Sequence, residues 1–293
     1  MCLVVFSHNV SRKINVDVIT PPVKSFFNYP VTHLDIPYPQ RPLIHSHRSS
    51  NTPTMSNQEI ALFDLPSKPP NKAWSPNPWK TRLALNYKGL PYKTEWIEYP
   101  DIKPKFQDHL PKADLYTIPA VILPDGKWVM ESLEIAKELE ARYPEPSLHL
   151  DSPYIAKVFE QLTNLRKPTS PVFIPGVLFN ILNEASQDYF RTTREKAVGK
   201  KMEDFAQEGG APAWEAAAPY VQKVTALLKE NPEGPFFEGK TVGFADFIWG
   251  GWLLFMGRIS EDAIAGALKA SGEPDVHLKL LEALKPWSER DDH

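Results

Sequence analysis

Hydrophobic and polar positions follow two regimes along the chain. Between Ile60 and Tyr143, short apolar runs alternate with helical stretches. Ile60-Ala61-Leu62-Phe63-Asp64-Leu65 reads as a buried strand, and Leu83-Ala84-Leu85-Asn86-Tyr87-Lys88-Gly89 as part of a helix that starts at about Ser75 and ends at Gly89. In Leu90 to Tyr99, Thr94, Trp96 and Glu98 fall on one face and Glu95, Ile97 and Tyr99 on the other, which predicts a second strand. Strand, helix, strand implies a βαβ unit with a parallel pair. A polar link follows, with one short helix near Lys105 to Leu110. Thr117 to Leu123 and Trp128 to Met130, joined by Pro124-Asp125-Gly126-Lys127, predict a hairpin with Pro119 opening its first strand. Ile135, Leu139 and Tyr143 share one helical face, and Pro144 ends that helix.

From Asp151 onward the alternation disappears. Asp151-Ser152-Pro153 opens a helix expected to run to about Arg166, where Pro168, Pro171 and Pro175 interrupt it. Further helices are expected over Thr192 to Glu208, Ala213 to Leu228, Ala245 to Arg258, Glu261 to Ala270 and Asp275 to Leu284. The segment from Ala245 to Arg258 is apolar almost all round, so it should be the buried central helix. The expected organisation is a leader over 1–56, an α/β unit over 57–143 and an all-helical unit over 150–287.

The leader differs in composition, with seven prolines, four histidines and no helical period. Disorder is the expectation. Met55-Ser56-Asn57 leads directly into the first strand, so the favoured reading is a true start at Met55. A regulatory arm and an organelle-targeting presequence are the alternatives. The formal charge of −3 gives no reason to expect nucleic acid or an anionic membrane. No apolar run is long enough to span a bilayer, and the expected location is cytoplasmic. The single cysteine, Cys2, leaves the body of the chain without a thiol nucleophile, a disulfide framework or a cysteine metal site. No metal is expected.

Candidate chemistry sits at two helix starts. Ser75 precedes Pro76 where loop becomes helix, and Glu131-Ser132 precedes Leu133 in the same way. Free N–H groups and the helix dipole favour an anion at such ends, and a thiolate is an anion. Taken alone, Ser75 is better read as an ordinary cap, and Glu131-Ser132 as a cap with a favourable charge.

The pieces together resemble the glutathione transferase family. The resemblance rests on Trp74-Ser75-Pro76-Asn77-Pro78-Trp79-Lys80-Thr81-Arg82-Leu83-Ala84-Leu85, on Thr117-Ile118-Pro119-Ala120, and on Val129-Met130-Glu131-Ser132-Leu133-Glu134-Ile135-Ala136. The first string looks most like the fungal etherase-related, serine-type members. The resemblance spans residues 58 to about 287. It implies a thioredoxin-like α/β domain with a cis-Pro at 119, followed by an all-α domain. It implies that Ser75 activates the glutathione sulfur, with Asn77 a second candidate. The Ile118 backbone would pair with the cysteinyl part, and Glu131 and Ser132 would hold the γ-glutamyl group. Lys105, His109 and Lys112 lie where the family finds a partner for the glycine carboxylate, although solvated loop charges explain them equally well. Gly239 to Asp246 resembles the family's capping motif, and Asp246 is read as structural.

The expected function is conjugation of the glutathione thiolate to a small hydrophobic electrophile, with cleavage of aryl ethers as one form and detoxification as the role. Glutathione is the co-substrate, and a homodimer is implied. The alternative is a protein of the same fold that sequesters hydrophobic ligands without turnover. Thiol transfer through an enzyme cysteine is disfavoured because position 75 is Ser.

Overall fold

The computed structural model describes residues 59–292 except residue 112. The readings made for the leader, and for Lys112, lie outside the described residues. The α/β region contains β1 (Ile60–Asp64), α1 (Pro76–Tyr87), β2 (Tyr92–Trp96), α2 (Ile102–Phe106), β3 (Ala120–Ile122), β4 (Trp128–Met130) and α3 (Ser132–Arg142). The sheet order is β2-β1-β3-β4. β1 and β2 are parallel, with Leu62 opposite Thr94, as the βαβ reading requires. β3 is antiparallel to both β1 and β4. Tyr92 and Thr94 are buried while Lys93 and Glu95 are exposed, so the alternation read in the sequence is real.

Helix α1 is held down by charge as well as by packing. Arg82 donates from Nη2 to Asp64 Oδ2 on β1 at 2.9 Å and to Thr94 Oγ1 on β2 at 3.0 Å. Both partners of the ion pair have fully buried side chains. Burial pushes the Asp64 carboxyl up, and Arg82 pulls it back. The pair ties α1 to the two strands that flank it in sequence.

The helical region comprises α4 (Pro153–Gly176), α5 (Glu184–Val198), α6 (Met202–Ala206), α7 (Ala211–Leu228), α8 (Phe244–Ile259), α9 (Glu261–Ala270) and α10 (Pro274–Ser288). α8 is central, with thirteen buried residues. Gly251 lets it approach α1 closely, since a Cβ there would come within 3.1 Å of Trp79 Cβ. Asp246 is structural: it accepts the Gly243 N–H at 2.8 Å and the Phe237 N–H at 3.0 Å.

Two expectations are corrected. The prolines do not interrupt α4, which continues through Pro168, Pro171 and Pro175 to Gly176 and then into a π turn over Val177–Ile181. A proline removes the N–H that would bond the carbonyl four residues earlier. For Pro171 that carbonyl is Lys167 O, and Ser170 Oγ donates to it at 2.7 Å. The helix expected over Thr192 to Glu208 is two helices, α5 and α6. The break is Gly199 at φ +73°, a left-handed conformation that ends α5.

Candidate active site

Ser75 is the residue before α1, with extended backbone (φ −69°, ψ 134°) and 2 % exposure. Its hydroxyl makes no capping hydrogen bond. The plain capping role is therefore not what the side chain does here. Ser75 O accepts from Trp79 N–H at 3.2 Å and so begins the helix through the main chain alone. Trp74, whose bulk precedes Ser75, is turned into the core: its indole N–H donates to Pro66 O at 3.2 Å and its ring lies beside Phe255.

The Ile118–Pro119 bond is cis. Ile118 is buried, yet among the described residues no hydrogen bond to its backbone N–H or C=O is found. Buried main-chain groups without partners are rare in folded proteins. Pro119 O accepts from Glu131 N–H at 3.2 Å, which brings the β3 entry against the start of α3.

Glu131 is half-buried and has φ +75°, ψ 125°, an uncommon conformation for a residue with a Cβ. Thr117 Oγ1 donates to its carboxylate. Ser132 follows as the first residue of α3 and is buried. The structure thus brings Ile118, Glu131 and Ser132 together. Among the described residues no hydrogen bond joins the Ser75 side chain to these three.

Sequence reasoning missed Lys80, a buried side chain near the start of α1. It is 6 % exposed, and its Nζ donates to Asn77 Oδ1 at 2.9 Å. Its Nζ also lies 5.3 Å from the centre of the Phe159 ring on α4. Burial lowers the Lys80 pKa to about 8, and the charge of Glu131 opposes that fall. Thr117 was missed as well, in its role of orienting Glu131. Asn77, read as a second contact for the sulfur, has its carbonyl engaged by Lys80. Lys105 and His109 lie over aromatic rings, Lys105 Nζ 5.8 Å from the Phe63 ring centre and His109 stacked on Trp128 at 4.3 Å.

The arrangement offers a hydroxyl at a helix N-terminus, an unpaired backbone edge and a carboxylate beside a second helix N-terminus. Such a surface suits a peptide-like ligand that carries an anionic centre. A sizeable cavity lies elsewhere. It has a volume of about 690 Å³ and is lined by Pro171, Pro175, Phe179, Trp214, Ala218 and Gly266 among others. Phe173, Trp249 and Trp252 are fully buried core residues, whereas Phe179 lines this cavity. Among the described residues no group of three or more His, Cys, Asp or Glu is placed to hold a metal, and no helix is long and apolar enough to cross a membrane.

Residues 74–142 match the family model "Glutathione S-transferase, N-terminal domain", and residues 155–287 match "Glutathione S-transferase, C-terminal domain". The glutathione S-transferase-like protein ustS of Aspergillus flavus is 30% identical over 213 residues, covering 64% of this chain and 77% of that protein. A glutathione S-transferase of Ceriporiopsis subvermispora, solved in complex with glutathione, is 30% identical with a TM-score of 0.70, covering 78% of this chain and 98% of that one. Glutathione transferase GSTFuA3 of Phanerochaete chrysosporium is 28% identical with a TM-score of 0.70, covering 79% and 98%.

Proposed function

The chain belongs to the glutathione S-transferase family, and from that premise we propose that it binds glutathione across the two helix starts and uses Ser75 to hold the sulfur as a thiolate. The observation that carries this reading is the Ser75 hydroxyl, buried at the N-terminus of α1 and making no capping bond. The free thiol has a pKa of about 8.5. A donated hydrogen bond and the helix dipole both favour its ionised form. The unpaired Ile118 backbone suits the cysteinyl main chain, and Glu131 with Ser132 suits the γ-glutamyl group. The thiolate then forms the new S–C bond, and the leaving group departs with the bonding pair, as a phenolate if the electrophile is an aryl ether. The hydrophobic electrophile, the homodimer and the cytoplasmic location belong to this proposal too.

The test is glutathione binding to the wild type and to Ser75→Ala, with thiol ionisation followed by ultraviolet absorbance against pH. The expected result is binding by both proteins with a lowered thiol pKa only in the wild type. Lack of binding by either protein removes the transferase reading.

A second reading, ligand sequestration without turnover, is favoured by the 690 Å³ cavity. Pro175, on its wall, lies 16 residues beyond Phe159 on α4, roughly 24 Å along the helix and on nearly the opposite face. A hydrophobic molecule held there would not meet the sulfur. Binding of a fluorescent apolar probe that glutathione does not displace, without any turnover of model electrophiles, is the result this reading requires.

A further inference from the structure

The segment that follows α10 returns to the loop that carries Ser75. Asp291 is 7 % exposed, and it grips that loop twice. Its main-chain carbonyl accepts the Ala73 N–H at 2.6 Å, and its Oδ1 accepts from Lys72 Nζ at 2.7 Å. Its other carboxylate oxygen, Oδ2, accepts from Arg258 Nη2, near the end of α8. One carboxylate therefore bridges the helical region and the β1–α1 loop. Next to it, Arg290 donates to Tyr92 O at 2.5 Å and lies 3.9 Å over the Tyr92 ring, which seats the segment against β2.

The bridge meets the loop close to the chemistry. Ala73 precedes Ser75 by two residues, at most about 7 Å of extended chain. The Ser75 hydroxyl makes no capping bond, and among the described residues no hydrogen bond holds its side chain. Its place is therefore set by the main chain that leads to it. That main chain is pinned from two sides. The Trp74 indole is sunk in the core with its N–H on Pro66 O, and Asp291 holds Ala73 and Lys72. The core contact fixes a side chain, whereas Asp291 fixes the backbone itself.

We propose that Asp291 is a positioning residue for Ser75, fixing the approach to α1 so that the hydroxyl meets the glutathione sulfur at hydrogen-bond distance. This rests on the reading of Ser75 given above. Misplacement by about 1 Å is enough to cost a catalytic group most of its effect. The side chains of Lys72 and Arg258 are 31 % and 37 % exposed, so loss of the carboxylate leaves both cations in water, and Asp291→Ala should fold.

The test measures the thiol pKa of bound glutathione by ultraviolet absorbance in four full-length proteins: wild type, Asp291→Ala, Ser75→Ala and the double variant. Asp291→Ala should raise that pKa by about one unit, a roughly tenfold loss in ionisation. The double variant should match Ser75→Ala, because Asp291 acts through Ser75. S-methylglutathione, whose sulfur cannot ionise, should bind wild type and Asp291→Ala within roughly threefold of each other by calorimetry. Asp246→Asn, which weakens the start of α8 away from the loop, should keep the wild-type thiol pKa. An unchanged thiol pKa in Asp291→Ala overturns the proposal. So does a further rise in the double variant, an equal rise in Asp246→Asn, or a large loss of S-methylglutathione binding. If Asp291→Ala does not fold, Asp291→Asn, which keeps one acceptor oxygen, gives the same comparison. A wild type that does not bind glutathione, or binds it without lowering its thiol pKa, sinks the reading of Ser75 itself, a failure seen before any variant is compared.

Discussion

Trp249 donates its indole N–H to Nδ1 of His277 at 2.9 Å, deep in the helical region. An indole N–H can only donate, so Nδ1 must be the acceptor and the proton of the neutral ring sits on Nε2. From there it points to Thr225 Oγ1 at 2.9 Å, and the Thr225 hydroxyl in turn has Val221 O and Ser271 O within 3.1 Å. The chain of donors has one direction and no room for a second ring proton.

This makes His277 an acid-sensitive point. Burial lowers its pKa from 6.5 to about 4, with Glu273 pulling the other way. The unfolded chain takes up the proton first, so the contribution of His277 is whole above about pH 6.5 and is lost as pH falls toward 4. Its size is on the order of 3 kcal/mol. Melting temperatures measured between pH 7.5 and 4.5 should fall more steeply for the wild type than for His277→Gln. Parallel curves would show that the ring does not resist protonation.

Asp246 should carry much of the stability at the start of α8. Its carboxylate satisfies two backbone donors, Gly243 N–H and Phe237 N–H, at a site where it is 1 % exposed. Asp246→Ala leaves both buried and unpaired, at a cost of about 2–5 kcal/mol. Asp246→Asn keeps one acceptor oxygen and should fall between. Urea unfolding measures both, and an Ala variant within 1 kcal/mol of wild type would refute the assignment.

The Asp64–Arg82 pair should show strong coupling. Either residue alone leaves its partner as an isolated charge in a fully buried place, which costs about 3–5 kcal/mol. Asp64→Leu combined with Arg82→Met removes both charges and should cost much less than the two singles summed. Additive penalties would mean that the pair does not act as a unit.

What the sequence made legible follows from how local each signal is. The strands of the sheet and the ends of α1 come from alternation and from Gly89, which are read within a few residues. The course of α4 was illegible because three prolines outweigh helical pattern by rule, while the remedy at Pro171 is a single serine hydroxyl one residue away. Ser75, Ile118, Glu131 and Ser132 were picked out through resemblance, since each alone looks like a turn or a cap. Lys80 gave almost no sign. A lysine is mostly exposed by residue type, and the apolar cover of this one includes Phe159, 79 positions later. The Asn77-to-Lys80 spacing was the one local clue, since residues three apart share a helix face.

Glu131 offers the last test, because its backbone and side chain have opposed interests. A residue with a Cβ at φ +75° costs of order 1–3 kcal/mol, a strain that recurs at ligand sites. Glycine relieves it but adds freedom to the unfolded chain, worth about 0.5–1 kcal/mol in the other direction. Glu131→Gly should therefore raise the melting temperature by roughly 2–4 °C, the equivalent of about 1 kcal/mol at this size. Glu131→Ala keeps the strain and should not raise it. Both variants lack the carboxylate that Thr117 holds in place, so both should bind glutathione more weakly than wild type. If Glu131→Gly is more stable and binds as tightly as wild type, the strain exists without serving the ligand. If it is no more stable than Glu131→Ala, the conformation at 131 carries no strain. Only stabilisation together with weakened binding fits a backbone held out of its preferred region to place a carboxylate against the γ-glutamyl ammonium.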